Sequence, residues 1–194
     1  MELGGFAERE EYIDGDFNAF NYCTSELYVN ALYEEDFETI GEIDEVHFRD
    51  ICYWYNYQKE LNHKKTVDEI RNGTFVTKKN RTIVDAIYEN KNLCLAEIYI
   101  NERVYSPKLI LIYLLYGCYK INIFPYEGSV ESNNKIFKEL FDFIDLELEK
   151  TEDKKSFLKA IKENISRIRY GNPETNKYIN DIANNYEFVK QIRK

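Results

Sequence analysis

The stretch Leu93-Cys94-Leu95-Ala96-Glu97-Ile98-Tyr99-Ile100-Asn101-Glu102-Arg103-Val104-Tyr105 decides how the chain is read. Leu95 to Ile100 forms a short apolar run with Ile and Tyr enrichment. The polar trio Asn101-Glu102-Arg103 then precedes Val104-Tyr105, the pattern of a β-hairpin. Immediately after it, Ser106-Pro107 combines a capping residue with a first-turn proline. That pair opens a helix of about residues 108–119, whose apolar residues run nearly all round and so place it at the centre of a core.

Upstream, Leu27-Tyr28-Val29-Asn30-Ala31 reads as a second short strand, with a turn marked by Gly15 between Asp14 and Asp16. Residues 34–44 form an acidic connector containing Gly41. A helix follows over about 44–62, because Phe48, Ile51, Cys52 and Tyr55 recur at i, i+3, i+4, i+7 and so share a face. Thr66 with Glu69 fits a capping box for a short helix ending near Asn72-Gly73, and a further helix covers about 82–90. Beyond a break at Pro125 to Gly128, three amphipathic helices are expected at about 132–150, 154–170 and 173–193, the last opened by Asn172-Pro173. The expected fold is therefore α+β: a small sheet or hairpins with packed helices in the N-terminal two-thirds, and a helical C-terminal third. The expected division is 1–125 and 126–194, with the second region packed on the first.

The 194 residues suffice for one full core, or one core with an appendage, and 44% hydrophobic and 15% aromatic content are those of a globular protein. Abundant Tyr, Asn, Ile and Lys point to an AT-rich coding sequence, a bias shared by viruses, mobile elements and low-GC bacteria. The N-terminus has no apolar signal segment, and the longest apolar run, Leu109 to Leu115, falls far below the ~20 residues of a membrane span. Cys23, Cys52, Cys94 and Cys118 lie far apart, with no paired Cys or His spacing, so neither zinc nor a disulfide framework is expected. A reduced, intracellular compartment fits them. No cofactor is implied.

Charge carries the strongest functional signal. The first fifty residues hold fifteen acidic side chains against Arg9 and Arg49, a net −13, while the whole chain is −9. Aromatic residues interleave with these carboxylates, so the segment is read as folded and presenting its charge from a fixed surface. Glu34, Glu35, Asp36, Glu38, Glu42, Asp44 and Glu45, with Trp54 as an aromatic anchor, form one candidate surface for a basic groove on a protein partner. A second candidate is the basic strip over 58–82, where Lys59, Lys64, Lys65, Arg71, Lys78, Lys79 and Arg81 outnumber Glu60, Asp68 and Glu69. Interleaved Asn72, Thr74, Thr77 and Asn80 could donate to phosphates, so Lys64, Lys65, Arg71, Lys78, Lys79 and Arg81 are candidate contacts to duplex DNA.

Catalytic signatures are missing: there is no Gly-x-Ser-x-Gly, Walker loop or Gly-x-Gly-x-x-Gly. Asp142 and Asp145, at i, i+3, read as a solvated helix face. His47 and Cys52 are five residues apart, off one face of a helix. No enzyme activity is expected.

Three segments together resemble the KilA-N domain family of large DNA viruses and phages. Leu27-Tyr28-Val29-Asn30-Ala31 looks like the family's "YVNAT" strand. Phe48-Arg49-Asp50 followed by Trp54 resembles its "F-x-x-W" helix, and Val104-Tyr105-Ser106-Pro107-Lys108-Leu109-Ile110 its "YVHPxLI" segment. The matches fall in the family's order across about residues 25–120. They depart from it where Leu32-Tyr33 replaces Thr-Lys and Ser106 replaces His. The resemblance implies a non-enzymatic, DNA-binding or regulatory role; on that reading the C-terminal helices, outside the matched segments, serve dimerisation or partner contact. The alternative is an acidic inhibitor that imitates nucleic acid and occupies a basic groove of a partner.

Overall fold

A computed structural model describes residues 16–58, 64–117, 129–165 and 173–194. Among these residues every regular element is a helix, and the sole extended pairing is an isolated antiparallel bridge between Val76 and Thr82. The α+β expectation is thus corrected to an all-helical one. The expected turn at Gly15 and the break at 125–128 lie outside the described residues, as do positions 59–62, 118–119 and 166–170.

The chain divides into two compact units, Met1–Val104 and Tyr105–Lys194. The first contains α1 (Asp16–Glu34), α2 (Phe37–Ile40), α3 (Glu45–Gln58), α4 (Lys64–Arg71), α5 (Ile83–Glu89) and α6 (Leu93–Asn101). The second contains α7 (Pro107–Tyr116), α8 (Val130–Lys150), α9 (Lys154–Ile165), α10 (Pro173–Ala183) and α11 (Glu187–Arg193).

Residues 27–31 are helical because their burial follows a helical spacing. Ser25, Tyr28, Val29 and Leu32 are buried while Leu27 and Asn30 face outward, placing a stripe of α1 against α2 and α3. The expected hairpin is α6. Its buried residues Leu95, Ala96, Ile98, Tyr99 and Ile100 wrap nearly the whole helix, so no period separates it from a buried strand. Asn92 starts it by accepting the Leu95 N–H at 2.9 Å.

Its end explains the misread turn. Arg103 adopts a left-handed φ of 68°, its N–H donates to the Ile100 carbonyl, and the Val104 N–H reaches the Tyr99 carbonyl. This is a Schellman end. Gly73 (φ 71°) and Lys91 (φ 53°) close α4 and α5 with the same bond pair. Glu35 (φ 58°) ends α1, with Asp36 N–H donating to the Ala31 carbonyl. Only one of these four left-handed residues is glycine, the residue that marks such ends in sequence. At Gly73 a Cβ would lie 2.7 Å from Val84 Cγ2 and 3.0 Å from Val104 Cγ1, so glycine is required there on two counts.

Other boundaries also shift. Thr66 falls inside the first turn of α4 rather than at its cap, whereas Thr82 caps α5 by accepting the Asp85 N–H at 3.2 Å. The acidic connector winds into α2 and buries Ile40 and Ile43. Phe48, Ile51 and Cys52 of α3 are buried as their spacing requires, and Phe48 meets Tyr99 edge-on at 5.3 Å.

In the second unit, α7 is buried from Leu109 through Leu114 and packs on α8 and α9, the central role that its apolar circumference dictates. The helix expected over 173–193 is two helices. Asp145 of α8 accepts the N–H groups of Glu187 and Phe188 at 2.9 and 2.8 Å, which starts α11 afresh and seats Phe188 against Phe141. Among the described residues no helix is long and apolar enough to cross a membrane.

Candidate functional site

Residues 76–82 form a tight turn. Thr77 N–H donates to the Arg81 carbonyl at 2.9 Å, and Asn80 takes a left-handed φ of 57°. The turn is fastened to the end of α1 by a bond from the Lys78 N–H to the Tyr33 carbonyl at 2.8 Å. This backbone docking brings two expected and competing surfaces into direct contact.

Glu35 sits at the centre with none of its side chain exposed. Its carboxylate accepts from Thr77 Oγ1 at 2.7 Å, from Arg81 through both Nε (2.7 Å) and Nη2, and lies 3.1 Å from Lys79 Nζ. The Arg81 guanidinium, and then the Thr77 and Lys79 bonds, hold the carboxyl down to about 2 against the opposing effect of burial. Arg81 also pairs with Glu89, and Lys78 pairs with Glu34 at 2.7 Å. Three cations of the expected DNA-binding strip are therefore engaged by three carboxylates of the same unit. Arg71 ends α4 and bonds the Cys52 side chain. Lys64 and Lys65 begin α4, but their side chains lie outside the description, as does that of Trp54.

The acidic candidates separate into two groups. Glu34 and Glu35 belong to the clasp. Asp36, Glu38, Glu42, Asp44 and Glu45 are exposed and lie within ten consecutive residues around α2 and the start of α3. Two of them have local structural work. Asp36 caps α2 through Thr39, whose hydroxyl (2.7 Å) and amide hold its carboxyl below the usual carboxylate range. Asp44 accepts the His47 N–H at 2.8 Å and faces His47 Nδ1 at 2.9 Å. Burial first, then Glu42 and Asp44, raise the Tyr28 phenol, so both carboxylates act on one point. Tyr33 and Val46, 45% and 36% exposed, flank this corner in sequence.

Several groups suited to covalent or acid–base chemistry have structural partners, while Cys94 is a free, exposed thiol. Burial pushes the Cys52 thiol up to about 11, leaving it protonated at neutral pH and a poor nucleophile. His47 packs edge-on to Tyr28 at 5.5 Å. Asp142 is bound by Lys138 and the Tyr186 hydroxyl, and Asp145 caps α11. Among the described residues no group of three His, Cys, Asp or Glu side chains is placed to hold a metal.

The sequence reading missed the pairing of Glu35 with Thr77 and Arg81, partners 42 and 46 residues away. No local pattern signals a contact of that range. Comparison of the chain with protein-family models, with curated proteins and with solved structures finds no match.

Proposed function

We propose that the chain is a non-enzymatic interaction protein whose exposed acidic corner, residues 36–45, docks on a basic surface of a protein partner. The observation that carries this reading is the clasp. It engages Lys78, Lys79 and Arg81 of the basic strip and leaves Asp36, Glu38, Glu42, Asp44 and Glu45 facing solvent. The first unit carries twenty-two acidic and eleven basic side chains, a net −11, so its long-range field favours a cationic partner. Tyr33 and Val46 supply exposed apolar surface of the kind that anchors protein interfaces, which phosphate-binding surfaces do not need.

The test compares two double charge reversals of one unit against a purified basic protein such as a core histone. Glu38→Lys/Glu42→Lys should weaken binding at least tenfold more than Asp68→Lys/Glu97→Lys, chiefly through a slower association rate. Equal losses from the two variants would show only a general attraction of opposite charges and would remove the corner as a site.

A further inference from the structure

A second group of cations, more regularly spaced, lies in the second unit. On α9, Lys155, Lys159 and Lys162 recur at i, i+4, i+7, within an arc of about 60° and along about 10 Å of helix. All three are exposed. Lys162 Nζ reaches the Ile192 carbonyl of α11 at 3.3 Å, which brings the ridge to the exposed Arg193 and Lys194. Residues 154–165 and 187–194 together carry seven basic side chains against Glu163 and Glu187, a net +5.

Their bonding differs from that of the strip at 78–81. Lys162 is held by a carbonyl and Arg193 by the Asn184 amide oxygen, neutral acceptors that leave the charge intact. Lys159 meets Glu163 only at 3.9 Å, with 74% of the lysine side chain exposed. Lys154 stands apart, lining a small cleft of about 90 Å³ with Asp145, Glu149 and Glu187.

We infer that this α9–α11 ridge is a docking surface for a nucleic-acid phosphate backbone. It presents exposed cations held by neutral oxygens or by a loose ion pair, in a row longer than a single phosphate. Among the described residues neither α9 nor α11 has an exposed large apolar side chain to anchor a protein, since Phe157, Ile161 and Phe188 are buried. Neither presents an exposed ring on which a base could stack, so contact is with the backbone and independent of sequence. The ridge lies outside the segments that resemble KilA-N domains, and the inference stands independently of the acidic-corner reading.

Fluorescence anisotropy of the full chain with a labelled DNA duplex tests it. Five phosphate contacts give a log–log salt slope of about −4.5, or a loss of about 500-fold in affinity from about 50 to about 200 mM salt. Lys155→Gln/Lys159→Gln/Lys162→Gln should reduce the slope to about −2, with far-UV circular dichroism unchanged because the three side chains are exposed. Lys78→Gln/Lys79→Gln should leave the slope as it was. Three results overturn the inference: no binding at the lower salt, a slope unaffected by the ridge variant, or a ridge variant that alters the sedimented mass of the protein alone. The last would make the ridge a protein-docking face. The histone experiment on Glu38 and Glu42 reads the acidic corner separately, so either proposal can fail without the other.

Discussion

Replacing Glu35 with glutamine should remove one of the main fastenings of the first unit. The carboxyl is held at about 2 against an ordinary 4.5, chiefly by the Arg81 guanidinium. At 1.36 kcal/mol per tenfold change in acidity, that difference has an upper bound of about 3 kcal/mol. Lys79 keeps 64% of its side chain in water, so solvent screening lowers the figure to about 2 kcal/mol. Because the folded carboxyl is the stronger acid, its stabilisation is complete above the unfolded value of 4.5 and fades as pH falls toward 2. In urea at pH 7, with a slope of about 2 kcal/mol per molar, Glu35→Gln should lower the midpoint by about 1 M. The gap between wild type and variant should close as titrations approach pH 2. A gap that persists undiminished at that pH would refute the charge argument and point instead to lost packing or altered helix-end geometry. A gap under about 0.3 M at pH 7 would show that the clasp contributes little.

Three further outcomes follow from other contacts. Gly73→Ala should destabilise the first unit by about 1–3 kcal/mol in urea melts, from a forced left-handed φ and a 2.7 Å approach to Val84 Cγ2. Asp145→Ala should cost about 1 kcal/mol as α11 loses its cap, and amides of 187–193 should exchange with solvent faster while the centre of α8 stays protected. Tyr99→Phe should leave stability unchanged or raise it by about 1 kcal/mol in the same melts, because among the described residues the buried Tyr99 hydroxyl has no hydrogen-bond partner to lose.

Helices with a long striped face or a clear start signal, such as Ser106-Pro107 before α7, were legible, whereas α1 and α6 were not. Phe48, Ile51 and Cys52 placed α3, and the striped faces of α8 and α9 placed those two within a few residues. In α6 burial surrounds the helix, so short apolar content and Ile enrichment mimicked a strand. Its end at Arg103, like that of α5 at Lys91, uses a charged residue in a conformation that sequence reading assigns to glycine or asparagine. The interruption between α10 and α11 depends on Asp145, a carboxylate on another helix, and so has no sequence signature of its own.

The charged residues illustrate a second limit. Lys78, Lys79 and Arg81 were readable as a run of cations, but whether a run is spent or available depends on what the fold sets opposite it. Glu34 and Glu35 were counted toward the acidic surface for the same reason. The lysines of α9 have the more regular spacing, but as part of an amphipathic helix flanked by acidic residues they formed no run of cations in the sequence.

The distance along the chain between Glu35 and Arg81 bears on how the first unit comes to exist at all. At roughly 5–20 residues per second, a ribosome adds the 46 positions from 36 through Arg81 in about 2–9 s. Throughout that interval α1 has been made but the Glu35 carboxylate at its end has no guanidinium to receive it, and the turn that fastens the Tyr33 carbonyl has not been synthesised. A chain emerging in this order holds an unfinished, strongly anionic amino-terminal segment for seconds. Like charge keeps neighbouring nascent copies apart until the arrival of residues 77–81 closes the clasp and completes the unit.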